Sequence, residues 1–163
     1  MPRRTTFKLP GLRTWVENIK NEVSQEAARD VVLDLKEAGP YWSGDFESAW
    51  VVKLGDTAIS AKRQQSSREP ASGRSLTPFT VPKPTGRGSV NYTIGNEMEY
   101  RTIAMDLDPS KRRLFNADGS RKAINTAPDD WYRTYVEGGG LRSALARATN
   151  RTASKPSIKG FKK

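Results

Sequence analysis

Residues 39–50 read Gly-Pro-Tyr-Trp-Ser-Gly-Asp-Phe-Glu-Ser-Ala-Trp and separate a helical pattern from a strand pattern. Glycine accepts the left-handed conformation at a helix end and proline lacks the amide donor, so Gly39-Pro40 ends whatever helix precedes it. Ser43 can cap a short helical turn that follows. Trp50, Val52 and Leu54 then alternate with polar or smaller residues, which predicts a strand with these three side chains on one face.

The segment before this stretch, residues 14–38, predicts one long amphipathic helix. Thr14 and Glu17 have the spacing of a capping box, in which the hydroxyl and the carboxylate bind free amides of the first turn. Apolar residues recur every three or four positions, which is the period of a helix face: Trp15, Val16, Ile19, Val23, Ala27, Val31, Leu35 and Ala38. The other faces carry acids, namely Glu17, Glu22, Glu26, Asp30 and Asp34.

After Leu54 the chain alternates strand patterns with turn signals. Residues 57–61 and 90–94 favour strands, and residues 100–105 fit either a strand or a helical turn. An intervening loop, residues 62–88, separates the first two of these segments. Neighbouring strands in this order predict a small, mostly antiparallel sheet.

Helix signals return near the C-terminus. Pro128, with two acids after it, is typical of a helix start. Gly138-Gly-Gly140 breaks that helix, and residues 141–149 predict another. The sequence therefore predicts one α+β domain over residues 14–149, in which a long N-terminal helix packs on the sheet with a C-terminal helix. Residues 1–13 are predicted as a basic arm and residues 150–163 as a basic tail.

The net charge of +10 is unevenly distributed. Three stretches, residues 1–13, 62–88 and 138–163, carry basic residues against a single acid, Glu69, and the remainder is acidic. Opposite charges on body and arms suit self-assembly, with an arm of one subunit lying on its neighbour. They also suit nucleic-acid contact, and solvated tails are the third interpretation. The candidate contacts in the arms are Arg3, Arg4, Lys159, Lys162 and Lys163.

The loop over residues 62–88 is rich in Ser, Pro, Arg and Gly. Loops beyond about 15 residues are uncommon in compact domains and are usually functional or disordered. We therefore predict an arm that orders on a partner. Together with aromatic residues after the helix break, it supplies the candidate contacts with another subunit or partner, namely Trp42, Phe46, Arg74, Leu76, Phe79, Val81 and Arg87.

Residue types exclude several kinds of chemistry. The chain contains neither histidine nor cysteine, so Ser-His and Cys-His catalysis and disulfides are excluded. Asp106 and Asp108 could bind a divalent cation through two carboxylates, but no further ligands follow at the spacing of a calcium loop. Because the chain also lacks histidine and a cluster of acids with lysine, a metal-dependent nuclease is the weakest hypothesis. We expect no enzyme activity, metal or cofactor. No apolar run approaches the ~18 residues of a membrane span, so no membrane partner is expected.

Several of these features resemble the tail-completion and neck family of tailed phages, small proteins that join a portal-capped head to a tail. The family has a long N-terminal helix followed by a Pro-x-x-Thr/Ser-Gly-x-Leu/Phe-x-x-Ser segment. Here that segment reads Pro40-Tyr-Trp-Ser43-Gly44-Asp-Phe46-Glu-Ser48. A strand ending in Gly95, the pair Glu99-Tyr100 and a C-terminal helix are also similar. The acid-Gly pair usual in the family has only Glu137-Gly138 as a distant counterpart.

The resemblance implies a structural virion protein without catalysis, assembled in the host cytoplasm into a neck ring of six or twelve copies. Its partners would be portal or adaptor and tail proteins, with possible passing contact with phage DNA. A tail terminator is an alternative role within the virion. A nucleic-acid-binding accessory protein that uses its basic arms is the alternative from another class.

Overall fold

The computed structural model describes residues 12–41, 43–64, 76–85, 88, 90–99, 101–106, 127 and 130–155. The fold is α+β, as the sequence predicts. Its elements in chain order are α1 (Leu12–Ala38), α2 (Asp45–Ser48), β1 (Trp50–Leu54), β2 (Tyr92–Asn96), α3 (Arg101–Asp106), α4 (Trp131–Glu137) and α5 (Gly140–Ser154).

The sheet of the described region has two antiparallel strands, β1 and β2. Trp50 lies opposite Asn96 and Leu54 lies opposite Tyr92. The pairing continues past the strand ends, since the Glu97 amide donates to the Ala49 carbonyl at 3.0 Å. This confirms the predicted antiparallel pairing and the burial of Trp50 and Val52 on one face.

The predicted capping box is wrong. Helix α1 begins at Leu12, so Thr14 lies inside it rather than before it. Glu17 instead accepts a hydrogen bond from Arg13 Nε at 2.9 Å, one helical turn away. Such an exposed pair contributes a few tenths of a kcal/mol to the first turns of the helix.

The predicted strand over residues 57–61 does not form. Ile59 instead lies against Gly95 of β2, where a Cβ atom would come within 2.9 Å of Ile59 Cδ1. The Ile59 carbonyl accepts a hydrogen bond from Arg101 Nη1 at 2.8 Å, which takes the place of a strand partner. Arg63 then makes one isolated parallel bridge with Met98.

Of the two alternatives for residues 100–105, the structure has the helical one, as α3 (Arg101–Asp106). Helix α4 begins at Trp131, and Pro128, the predicted start, lies outside the described residues. Helix α5 continues past the predicted end at Thr149 to Ser154. Residues 150–155, predicted as tail, therefore belong to the body, because their cations pair with acids of α1.

The core lies where the C-terminal half of α1 meets β1, α2 and α4. Phe46 packs edge-on against both Trp50 and Trp131, with ring centroids 5.9 Å and 6.3 Å away. Such edge-to-face contacts are favourable beyond the area they bury. The other large buried apolar side chains are Val31, Val32, Leu35, Val52 and Met98.

A buried ion pair joins α1 to α2. Lys36 Nζ lies 2.8 Å from Glu47 Oε1, and both side chains are at most 1% exposed. The remaining polar atoms are bound as well. Lys36 donates to the Thr77 carbonyl at 2.9 Å, and Glu47 accepts from the Thr77 amide and hydroxyl. Such full satisfaction is what makes a buried pair tolerable, since desolvation of each charge costs several kcal/mol.

The same cluster holds residues 76–85 on the body. Lys36 also lies over the Phe79 ring, 5.2 Å from its centroid. Further along, Gln25 donates to the Val81 carbonyl, and Tyr92 donates to the Pro82 carbonyl. This part of the predicted arm is thus fastened to its own chain rather than left free for a partner.

We predict that replacing Lys36 with methionine lowers the free energy of unfolding by about 3–5 kcal/mol, because Glu47 is left buried without a counter-charge. The double variant Lys36→Met/Glu47→Leu should recover most of this loss, since neither charge then remains. Urea unfolding followed by circular dichroism measures both. Arg13→Ala, which breaks the exposed pair with Glu17, is the control; a Lys36→Met loss no larger than the Arg13→Ala loss would contradict the prediction.

Candidate interaction surface

Helices α1 and α5 pack antiparallel, and the sides that meet carry opposite charges. Acids recur every fourth residue on α1 and cations every fourth residue on α5, so each set occupies one helix face. We call these residues the ionic ladder: Glu22, Glu26, Asp30, Asp34, Arg147, Arg151 and Lys155. Its contacts are Arg147 with Asp34 at 2.7 Å, Arg151 with Asp30 at 2.7 Å and with Glu26 at 3.4 Å, and Lys155 with Glu22 at 2.5 Å and with Glu26 at 3.6 Å.

The cations of the ladder reduce the repulsion between the acids of α1. Like charges four residues apart destabilise a helix by a few tenths of a kcal/mol each, and the α5 cations offset that repulsion. Most ladder side chains are partly exposed, so single pairs contribute little. Asp30 is the exception, because its side chain is only 7% exposed and lies near both Arg147 and Arg151.

Helix α4 joins the ladder through Tyr135. Its hydroxyl donates to Asp34 Oδ2 at 3.0 Å. Burial and then the Asp34 carboxylate hold the pKa of the Tyr135 phenol well above its usual range. The hydrogen bond from Arg147 to Asp34 likewise raises the pKa of the arginine. Both groups therefore keep their protons under all ordinary conditions.

Small residues fill the contact beneath the ladder. Ala144, Ala148 and Thr152 lie four residues apart on α5 and are fully buried. Alanine removes little apolar area from water, so this stripe contributes less than a leucine face would. The Thr152 hydroxyl is buried and has no hydrogen-bond partner in the described part of the chain. Packing on the buried apolar side of α1 and the ion pairs of the ladder therefore both contribute to the α1–α5 contact.

Large apolar side chains of α5 lie outside this contact. Leu141 and Leu145, one turn apart, are 46% and 50% exposed. One turn further, Thr149 donates to the Leu145 carbonyl and lines a shallow pocket of about 310 Å³ together with Ile19, Val23 and Val90. We call the exposed pair Leu141 and Leu145 the apolar strip.

The residues predicted to contact a partner differ in their burial. Phe46 was predicted at an interface but lies in the core at 5% exposure, because it fills the space between Trp50 and Trp131. Phe79 and Val81 are half-buried and pack against the chain's own core. Leu76 alone among the four described candidates is exposed, at 43%. The other predicted contacts lie outside the described residues: Trp42, Arg74, Arg87, Arg3, Arg4, Lys159, Lys162 and Lys163.

Sequence reasoning missed the ladder although its signal was present. The sequence analysis places Glu22, Glu26, Asp30 and Asp34 on the non-apolar faces of α1, and places Arg147 and Arg151 in a basic extension. The shared four-residue spacing of both sets indicates two matching helix faces. The charges that were expected to meet a neighbour or nucleic acid meet within one chain instead.

The described residues contain no group of three or more side chains suited to hold a metal ion. Asp106, one of the two aspartates weighed as ligands, ends α3, and Asp108 lies outside the described residues. None of the helices in the described ranges combines the length and apolar character needed to cross a bilayer.

We predict that Tyr135→Phe makes stability less sensitive to alkaline pH. A phenol whose pKa is raised on folding contributes stability that is full below its unfolded pKa, near 10, and is lost as pH rises above that value. The wild-type free energy of unfolding should therefore fall more steeply than that of the variant between about pH 10 and pH 11.5. Urea titrations across pH 8 to 11.5 measure the two slopes; parallel curves would show that the contact with Asp34 does not matter.

We also predict that Thr152→Val stabilises the protein by about 1 kcal/mol, since it removes a buried unsatisfied hydroxyl and keeps the side-chain shape. Thr149→Val is the matched control on the same helix, because the Thr149 hydroxyl already donates to a carbonyl. Thermal and urea unfolding measure both variants. A loss of stability in Thr152→Val would mean that the hydroxyl has a partner in solution.

Comparisons with known proteins identify no family for a chain that carries these two surfaces. Its sequence matches no protein-family model, and neither the curated proteins nor the solved structures show a significant similarity to it.

Proposed function

We propose that the protein is a structural subunit of a tailed-phage virion that forms a ring at the neck and joins the portal-capped head to the tail. The observation that carries this proposal is the apolar strip, which a single copy leaves uncovered. Exposed leucines one turn apart on a helix are typical of a surface that a neighbouring subunit covers.

The length of α1 supports the same conclusion. Its buried apolar residues begin at Ala28, and every residue from 13 to 27 keeps part of its surface exposed. The N-terminal half of α1 therefore extends past the core of its own chain. A subunit whose helix overhangs a two-stranded sheet has surface available for a neighbour, which suits a ring.

The segment that resembles the neck family, residues 40–48, connects α1 to β1. Gly44 adopts a left-handed φ of 85°, as a glycine at a tight turn does. Phe46 enters the core directly after it, and Ser48 accepts from Arg63 through both its carbonyl and its hydroxyl. The resemblance thus falls on residues that set the path from α1 into the sheet.

In this proposal the ring has six or twelve copies, is assembled in the host cytoplasm and contacts portal or adaptor and tail proteins. A tail terminator would occupy the other side of the same junction. The ionic ladder disfavours a nucleic-acid-binding role for α5, because Arg147, Arg151 and Lys155 already pair with acids of α1.

The test is assembly by the purified chain, alone and mixed with portal and tail components. Light scattering should give six or twelve times the chain mass, or show incorporation into head–tail particles. Leu145→Glu should abolish either result while the melting temperature stays within a few degrees of wild type, because the side chain is already exposed. A monomer that stays a monomer beside these components would overturn the proposal.

Ala146→Glu is the matched control. It introduces the same charge at the next position of α5, which is also exposed but lies outside the apolar strip. Assembly should survive it. Equal loss of assembly in both variants would show that added negative charge, rather than loss of the apolar strip, is responsible.

A further inference from the structure

One cation of α5 lies apart from the ionic ladder. Arg147, Arg151 and Lys155 each lie within 2.7 Å of a carboxylate of α1. Arg142 is exposed and forms no ion pair within the described residues. It precedes Arg147 by five residues, which is about 140° around a helix of 3.6 residues per turn. Arg142 therefore does not belong to the face of α5 that the acids of α1 contact.

Arg142 shares its side of α5 with the apolar strip. Residues three apart on a helix are surface neighbours, which places Arg142 beside Leu145, and Leu141 directly precedes it. The two leucines are 46% and 50% exposed. The sequence of α5 contains no acid, so no residue of this helix neutralises the guanidinium. The exposed surface here is therefore both apolar and positively charged.

This combination discriminates between kinds of partner. The phosphates of a nucleic acid would bind Arg142, but the sugar-phosphate backbone offers no apolar surface to the leucines. An uncharged apolar surface would cover the leucines and leave the guanidinium without a counter-charge where water is excluded. A protein surface that has a carboxylate beside apolar side chains satisfies both groups, and arginine is enriched at such interfaces.

We propose that α5 binds an acidic and apolar surface of an adjoining protein at the head–tail junction, with a carboxylate of that protein on Arg142 and its apolar side chains on Leu141 and Leu145. This rests on the proposed neck function and names the chemistry of the partner at the same surface. A guanidinium can bind a carboxylate through two parallel hydrogen bonds, which fixes the orientation of the partner. The leucines contribute through the apolar area that they bury.

Substitutions at Arg142 test the charged part of this contact. The chain is titrated with purified portal and tail components at several NaCl concentrations, and binding is followed by light scattering. Arg142→Glu should weaken binding at least about tenfold at low salt, because it sets like charges against each other. Arg142→Gln should weaken binding less and make it less dependent on salt. Both variants should keep the wild-type melting temperature within a few degrees, since the side chain is exposed.

Arg133→Glu is the matched control. Arg133 is also exposed and forms no ion pair in the described part of the chain, but it lies on α4. This variant carries the same change in net charge and should bind as the wild type does at every salt concentration. Equal weakening by Arg133→Glu and Arg142→Glu would show that net charge is responsible, and would overturn the role of Arg142.

The outcomes separate this inference from the neck role. Assembly that tolerates Arg142→Glu but not Leu145→Glu would overturn the inference and leave the neck role in place. A DNA duplex that competes with the components for the wild type, but not for Arg142→Glu, would show that Arg142 binds phosphate, which also overturns it. Absence of any assembly by the wild-type chain with these components would overturn both.

Discussion

The buried ion pair between Lys36 and Glu47 is the contact on which the remaining structure depends. It ties the end of α1 to α2, and Thr77 binds both partners, so three separate parts of the chain meet at one point. Loss of either charge leaves the other in a place from which water is excluded. Geometry at this point is therefore fixed tightly, and β1, which begins two residues after α2, takes its direction from it.

Charged contacts carry much of this fold because apolar residues are few, at 35% of the chain. A two-stranded sheet cannot supply a large core, and the aromatic cluster around Phe46 fills most of what there is. Ion pairs join helices at two places in the described residues, at the buried Lys36–Glu47 contact and along the α1–α5 contact. The buried pair gives a rigid joint, whereas the exposed ladder gives an attachment that depends on ionic strength.

The sequence predicts the elements of this fold better than their contacts. Periodicity and the Gly39-Pro40 break locate α1 and β1, because those signals act within a few residues. The strand predicted over residues 57–61 does not form; the Ile59 side chain packs on Gly95 and its carbonyl accepts a hydrogen bond from Arg101. Phe46, predicted as a contact with a partner, lies in the core because Trp131, far along the chain, packs against it. The four-residue spacing in the sequence indicates the two charged helix faces, but only the fold shows that they pair with each other.

The distribution of charge and apolar surface on α5 bears on the proposed assembly. A helix that attached through its leucines would leave no exposed leucine for a neighbour. Here the contact with α1 uses alanine and charge, while Leu141 and Leu145 remain outside it. The strength of the ion pairs between α1 and α5 depends on salt concentration. The strength of a contact through Leu141 and Leu145 would depend on the apolar area that it buries. In the proposed ring, a subunit would fold through the first contact and join its neighbours through the second.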